Sequence, residues 1–492
     1  MNTRHVCLAV DLGAGSGRVV AGVLEKGRLD LHVVHRFTNE PVRLDDGWHW
    51  QFDRLFAEIQ TGIRQAIETF GPDVRSIGVD TWGVDYGLLD ADGTLLDAPM
   101  QYRDSRTDGM MDAAFERMPR TEIYERTGIQ FMFFNTLYQL LAEARGPKDR
   151  FDRAESLLFL PDLINYRLTG ERATERSIAS TGQLLTATTQ EWDRSILAAM
   201  DLPARIFGDL VDAGTDLGPL LSEIAASPGA EPIRVIVSAG HDTAAAVAGV
   251  PASKPEPVFL SSGTWSLLGR ELAAPIITAA GYEAGFSNES GVFGTTRYLK
   301  NIAGLWLLQE CKRHWDAAGN TLDFGALVAA AETAPAFAAI LDPDDPTFQS
   351  PEHMPTAIAD YLERTGQPAL TVPGAITRLI LEGLALRYRV ATDSLAALTD
   401  RPIERIHVVG GGSQNNLLNQ FTADATGCTV IAGPVEATSA GNVLVQLSAL
   451  GEISSLAEGR ALIRRSFTTV TFQPENPDAW ADANARFAKQ TS

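Results

Sequence analysis

The stretch HVCLAVDLGAGSGRVVAGVLEKGRLDLHVVHR, residues 5–36, decides the fold. His5 to Leu12 is an apolar run that reads as a buried strand ending in Asp11. The small residues Gly13-Ala14-Gly15-Ser16-Gly17 make a turn, and Arg18 to Leu24 is a second strand. Lys26-Gly27 turns the chain again, and Leu29 to Arg36 is a third. Only then does a helix follow. Between Asp53 and Phe70, Leu55, Ile59, Ile63 and Ile67 recur every four residues, and Asp53 is placed to cap the helix. Ser76 to Thr81 is the next strand. A plain parallel α/β fold alternates strand and helix from the start, so three strands before the first helix mark a different architecture.

The same opening returns in the second half. VFLSSGTWSLLG at 258–269 reads as a strand, a Ser262-Gly263 turn and a return strand. Ile406 to Val409 is a strand that runs into Gly410-Gly411-Gly412, with a helix from about Asn415. Cys428 to Ala432 is another strand, and Ala437 to Leu450 another helix. Two halves that open alike imply a duplicated α/β architecture with a cleft between them. The linker is PASKPEP, 251–257, so domains are expected over 1–250 and 251–492.

Bulk properties narrow the partners. The 492 residues are 45% hydrophobic and 21% charged, an ordinary globular balance, with a formal net charge of -21. So acidic a chain argues against nucleic acid or an anionic membrane as partner, because both demand a basic surface. It leaves room for an anionic small molecule at a site made locally positive by amides, an arginine and a metal ion. Cys7, Cys311 and Cys428 are too few and too scattered for a disulfide framework or a zinc site. Met1 to Cys7 lacks the apolar core of a signal peptide, and no run nears a membrane span. These features point to a reducing, cytoplasmic setting.

Four places carry candidate chemistry, each with a plainer reading beside it. The 13–17 turn can aim backbone N–H groups at a phosphate, with Arg18 adding charge, or be a simple hairpin turn. It is neither a Walker loop nor a dinucleotide fingerprint, since no Gly-Lys-Ser/Thr occurs and a strand follows it. Gly410-Gly411-Gly412 can let a nucleotide lie on the backbone, or pack a helix against a strand. Asp242, after the apolar strand Val235 to Ser238, can take a proton from a hydroxyl or cap the helix that follows. His241 is a ligand contact or a satisfied core imidazole. In Trp82-Gly83-Val84-Asp85, Trp82 can stack on a sugar or fill the core, and Gly83 can admit a ligand or make a turn. NIAGLWLLQ at 301–309 reads as a helix with Ile302, Leu305, Trp306 and Leu308 in the core and Asn301 and Gln309 at its ends.

Taken in order, VDLGAGSGR (10–18), IGVDTWGVD (77–85), YRDSRT (102–107), GIQFMFFNTLYQL (128–140), RLTG (167–170), SAGHDTAAAV (238–247), LSSGTWSLLG (260–269), KNIAGLWLLQ (300–309), VVGGGSQNNLLNQ (408–420) and IAGPVEATSAGN (431–442) resemble the FGGY carbohydrate kinases. That family is a branch of the actin-like ATPase superfamily, and the resemblance covers nearly the whole chain. It implies two actin-like (ribonuclease H-like) domains with an interdomain cleft, a sugar kinase activity, and ATP and Mg²⁺ as cofactors. It further implies that Asp242 is the catalytic base and that Gly83, His241, Thr243 and Asn301 line the sugar. Ala14, Gly15, Ser16, Gly17, Arg18, Thr264, Gln309 and Gly411 would hold ATP, and Asp11 would orient a hydrated Mg²⁺. Gly15 stands where serine is frequent in the family, a change that keeps the amide cradle. Some members carry further cysteines absent here, so no disulfide is transferred.

Within the family, DTWGVD, RDSRT, FNTLYQL, SSGTWSL, KNIAGLWLLQ and AGPVEA are most similar to the rhamnulokinase branch. That implies a small-molecule ketose partner, L-rhamnulose, phosphorylated at C1. L-fuculose or another ketose is the alternative substrate. Outside enzymes, an actin-like ATPase acting as chaperone or filament is the alternative, and GHDT with DTWGVD argues against it by supplying a sugar pocket.

Overall fold

The computed structural model describes residues 4–146, 149–225, 232–349 and 351–491. Met1 to Thr3, part of the N-terminal stretch read above, lie outside them. The chain forms two compact units. The first is Met1–Glu256 with Glu271–Tyr298 and Glu436–Phe467; the second is Pro257–Arg270 with Leu299–Val435 and Thr468–Ser492.

In the first unit, β1 (His5–Leu12), β2 (Ser16–Glu25) and β3 (Arg28–Thr38) form an antiparallel meander. On the other side of β1 lie β4 (Val74–Thr81), β5 (Asp216–Pro219) and β6 (Arg234–Ile236), and the sheet order is β5-β6-β4-β1-β2-β3. β1 pairs with β4, and β4 with β6, in parallel. Because β1 is central, both of its faces are covered. One face packs against the helix Phe52–Phe70, which buries Leu55, Phe56, Ile59, Ile63 and Ala66. On the other face Cys7 and Ala9 meet Ala440, Val443 and Leu447 of the helix Ala437–Ala449. Each large aliphatic side chain so buried contributes roughly 1.5–3 kcal/mol. Gly62 is required here: a Cβ on it would stand 2.4 Å from Val19 Cγ2.

The second unit repeats this plan. Its strands are β7 (Val258–Ser262), β8 (Trp265–Leu272), β9 (Thr296–Ala303), β10 (Arg405–Val409), β11 (Thr429–Ala432) and β12 (Val470–Phe472). They neighbour one another in the order β9-β8-β7-β10-β11-β12. The β7–β8 hairpin is antiparallel, β7–β10 and β10–β11 are parallel, and β11–β12 is antiparallel. The four strands β10-β7-β8-β9 stand in the order of β4-β1-β2-β3, so the duplication expected from the sequence is present in this shared core; the outer strands differ, because β5 precedes β6 in the chain whereas β12 follows β11, and Ser287–Ser290 adds a seventh strand beyond β9.

Three local expectations change. Asp53 does not cap the first long helix: Gln51 holds the cap position without a side-chain bond, and Asp53 lies in the first turn, where a carboxylate favours the helix dipole. Residues 301–309 are not one helix. Asn301 ends up on β9, and the helix starts at Trp306 (Trp306–Ala317). Gly304 explains the break, since a Cβ there would meet the Thr264 carbonyl oxygen at 2.6 Å. Leu307 and Leu308 are buried from that segment, whereas Leu305 and Trp306 are only half-buried. Asp242 is the first residue of the helix Asp242–Ala248, and its N-cap is His241.

Candidate active site

Asp11 sits at the end of β1 and faces Arg18 of β2 on one side and Asp80 of β4 on the other. Arg18 donates to Asp11 Oδ2 at 3.1 and 2.7 Å, and its other nitrogen pairs with Glu436. Ser439 Oγ donates to the same Asp11 oxygen at 2.8 Å. Arg18 is therefore a structural counter-ion as well as a source of positive charge. Asp80 is fully buried. Its Oδ2 accepts from Asn442 Nδ2 at 2.6 Å, while Oδ1 has no hydrogen-bond partner among the described residues. Burial, and next the negative charge of Asp11, push the Asp80 carboxyl well above the usual carboxylate range.

The turn between β1 and β2 is closed by Gly13 N–H donating to the Ser16 carbonyl at 2.9 Å. Asn39 pins it from outside, donating through Nδ2 to Gly13 O at 3.0 Å and through its backbone N–H to Gly15 O at 3.2 Å. Gly15 and Ser16 are exposed, and a Cβ on Gly15 would meet nothing within 4 Å. Gly17 differs. It is buried, and a Cβ would strike the Phe37 ring at 2.4 Å, so packing explains this glycine.

The loop before Asp242 is fixed by a buried carboxylate. Glu175 Oε2 accepts from Gly240 N at 2.9 Å and from Ser177 Oγ at 2.6 Å, and Ser177 Oγ accepts from His241 N at 3.3 Å. The N-cap residue His241 makes no side-chain capping bond, and Asp242 stands next to it in the first turn. Asp242 Oδ1 accepts from Thr243 Oγ1 at 3.2 Å and lies 3.4 Å from His241 Nε2. The side chain keeps 32% of its exposure, enough to meet a ligand. Burial still raises its pKa, opposed by His241 and reinforced by Asp11. A carboxylate in that state is a better proton acceptor than a solvated one. The other face of His241 is backed by charge: Nδ1 lies 3.2 Å from Glu289 Oε2 and 3.2 Å from Arg297 Nη2. Arg297 has no solvent exposure and pairs with Glu289 at 3.1 Å. Burial alone would raise Glu289, but Arg297 and His241 hold it below the usual range.

Gly83 lies on the loop that follows β4, half-buried, with Thr181 3.2 Å from where its Cβ would be. Trp82 does not face outward as a sugar platform. It is 6% exposed, packs on Trp50 with centroids 4.4 Å apart, and donates its indole N–H to Asp85. Here the core reading holds, because an indole with a buried acceptor gains more inside than at the surface.

In the second unit, Thr264 lies in the β7–β8 turn. It donates through Oγ1 to Gln309 Oε1 at 3.2 Å, and its carbonyl accepts from Trp306 N at 3.2 Å. Thr264 and Gln309 thus form one polar pair, with Gln309 in the first turn of Trp306–Ala317. Asn301 is half-buried on β9. In the glycine run after β10, Gly410 has φ +82°, Gly412 would place a Cβ 2.0 Å from Ser262 Oγ, and Gly411 would place one in open space. Gly410 and Gly412 serve the backbone, whereas Gly411 leaves a bare surface.

In the first unit, then, Asp11, Arg18 and the 13–17 turn lie together at one end of β1 and β2, and His241, Asp242 and Thr243 stand at the start of the helix Asp242–Ala248. The reading missed Glu436, Ser439 and Asn442. The last two, with Gln446, recur at i, i+3 and i+7 as a polar stripe on an otherwise apolar helix, a readable signal. It also missed Glu175, Glu289 and Arg297, which sit in segments without any motif.

Family comparison agrees with this geometry. Residues 6–249 match the N-terminal domain, and 258–450 the C-terminal domain, of the FGGY family of carbohydrate kinases. A rhamnulokinase of Bacteroides thetaiotaomicron is 45% identical over 479 residues, 97% of this chain and 98% of that protein. One from Pectobacterium carotovorum is 42% identical over 98% of this chain and 95% of its own length. The Bacillus subtilis rhamnulokinase is 38% identical over 96% of both. Among solved structures, a xylulose kinase from Lactobacillus acidophilus superposes with TM-score 0.81 at 16% identity, covering 99% of this chain and 97% of that one. The fold is thus the actin-like one of these kinases. The chain belongs to the FGGY family of carbohydrate kinases.

Proposed function

We propose that the protein transfers the γ-phosphoryl group of ATP to the C1 hydroxyl of L-rhamnulose, giving L-rhamnulose 1-phosphate and ADP, a step of L-rhamnose breakdown. The observation that carries the chemistry is Asp242: a part-exposed carboxylate at a helix start, raised by burial. The choice of sugar is supported by the near-full-length similarity to rhamnulokinases.

In this reading Asp242 accepts the C1 hydroxyl proton as the oxygen attacks the γ-phosphorus. The O–P bond forms while the β–γ bridging bond breaks, and ADP leaves with that electron pair. Such transfer is mostly positioning and charge stabilisation. His241 and Thr243 flank Asp242, and Gly83 and Asn301 offer polar backbone and side-chain contacts to the ketose. The amides of Ala14, Gly15 and Ser16 meet phosphate oxygens, with Gly17 and Arg18 holding the turn in place. Thr264, Gln309 and the open face of Gly411 take the nucleotide.

The residues also fit a magnesium ion. Asp11, Asp80 and Asp242 bring three carboxyl groups together beside Arg18, and one Asp80 oxygen has no hydrogen-bond partner among the described residues. Among the described residues no three His, Cys, Asp or Glu side chains form a metal cage; Asp11 is the residue assigned to orient the hydrated ion. When bound, the ion neutralises charge on the β- and γ-phosphates. No helix among the described residues is long and apolar enough to cross a membrane, and the three cysteines are free and buried; the setting proposed here is cytoplasmic.

ADP release measured with and without L-rhamnulose tests the proposal. A kinase releases ADP in proportion to the sugar. An ATPase that drives shape change would release it at the same rate in both cases, and that would overturn the reading.

A further inference from the structure

Three sequence motifs have no part in the mechanism above: the end of DTWGVD, and RDSRT and FNTLYQL. In the structure they converge on one residue, Val84. Asp85 N–H donates to the Gly83 carbonyl at 3.0 Å, closing a three-residue turn around Val84. Val84 has φ +70°. A γ-turn with positive φ at its centre is the rare, strained form, and a β-branched residue is the least suited to it. Such an outlier persists only where its surroundings impose it.

The surroundings are a polar clamp. Val84 N–H donates to Thr181 Oγ1 at 3.1 Å, and Val84 O accepts from Thr136 Oγ1 at 2.7 Å and from Gln139 Nε2 at 3.3 Å. The same Gln139 Nε2 donates to the Phe134 carbonyl at 2.9 Å and to Asp85 Oδ1 at 3.2 Å, so its two hydrogens are shared among three acceptors. Asp85 Oδ2 accepts from Trp50 Nε1 at 2.6 Å and from Trp82 Nε1 at 2.8 Å. Gln139 is oriented in turn: Arg106 Nη2 donates to its Oε1 at 2.7 Å, which fixes which end of the amide faces Val84 and Asp85. Thr136, Gln139 and Asp85 are at most 1% exposed, so water does not compete for these bonds.

We propose that Asp85, Gln139 and Arg106 are positioning residues that hold Val84 in its strained turn and so present the Gly83 backbone to the ketose. This rests on the reading that Gly83 lines the sugar. The clamp stores the geometry of a main-chain contact in side chains that touch no substrate. A displacement of about 1 Å in such a contact can cost on the order of 10²-fold, so sugar affinity is the sensitive quantity.

The test is a double-mutant cycle. Gln139→Met keeps the volume and removes both donors; it is expected to raise the ketose KM about tenfold or more while the ATP KM stays within about twofold. Val84→Gly makes positive φ free of strain. Added to Gln139→Met, it should bring the ketose KM back to within about threefold of wild type, which a general loss of packing would not allow. Unchanged ketose KM in folded Gln139→Met, a parallel rise in both KM values, or no restoration by Val84→Gly each overturns the proposal. Should Gln139→Met not fold, Arg106→Lys is read by the same criteria, since it keeps a cation beside Glu143 but loses the guanidinium fork. The amide resonance of Gly83 followed during ketose titration separates the underlying reading. No shift removes Gly83 from the sugar site, whereas a shift together with an unchanged ketose KM in Gln139→Met refutes the clamp alone.

Discussion

Replacing Asp242 by asparagine separates its two roles on one side chain. The N-cap of the helix Asp242–Ala248 is His241, and Asp242 Oδ1 accepts from Thr243 Oγ1. Asparagine keeps the size and an acceptor oxygen. What is lost is the favourable placement of a negative charge at a helix start, worth about 0.3–1 kcal/mol. Burial of that charge opposes it, so the melting curve should barely move. Catalysis should move a great deal. General-base assistance contributes about 10²–10⁴ in rate, or about 2.7–5.4 kcal/mol of barrier. Steady-state kinetics with a coupled ADP assay should show kcat down by that factor with the ATP KM little changed. The pH profile adds a signature. The active form is deprotonated, so kcat falls as pH drops through the Asp242 pKa. Burial and Asp11 raise that pKa above the ordinary 3.8, which shifts the acid limb upward, and asparagine should abolish the limb. Near-normal kcat in a stable Asp242→Asn protein would refute the assignment of Asp242 as base, even with the family unchanged.

Other outcomes follow from the same structure. Gly411→Val adds methyls where a Cβ meets nothing within 4 Å, so the protein should fold while calorimetry shows ATP binding lost and sugar binding kept; unchanged ATP affinity would move the nucleotide elsewhere. Glu289→Ala leaves Arg297, with no solvent exposure, without its counter-ion, and denaturant unfolding should report a loss of about 3–5 kcal/mol. Burial pushes the thiols of Cys7 and Cys311 up to about 12 and raises that of Cys428. A thiol reagent at pH 8 should therefore find no reactive cysteine until the protein unfolds.

The repeated opening at 5–36 and 258–269 was legible because strand runs and glycine turns are local signals, and the two sheets share the order of four strands around it. Asp242 and the 13–17 turn were legible for the same reason. Segment 301–309 misled because its apolar spacing suits a helix, while the break at Gly304 is set by Thr264, some forty residues earlier. Trp82 was ambiguous because its acceptor, Asp85, and its neighbour, Trp50, turn it inward by tertiary contact. Glu289 and Arg297 were invisible, since a buried ion pair behind His241 leaves no periodicity or spacing in the chain. The strain at Val84 also has no sequence mark, although the three motifs that sustain it were all in view.

The central claim is that this kinase acts on L-rhamnulose. Its most direct test is kcat/KM for ADP formation with L-rhamnulose, L-fuculose, D-xylulose and glycerol as acceptors under one set of conditions. A site built to hydrogen-bond each hydroxyl rejects an analogue that leaves a partner unpaired by up to about 10⁴–10⁵. L-rhamnulose should therefore lead by at least about tenfold, with L-rhamnulose 1-phosphate as the product. Equal or faster turnover of any of the other three would contradict the account.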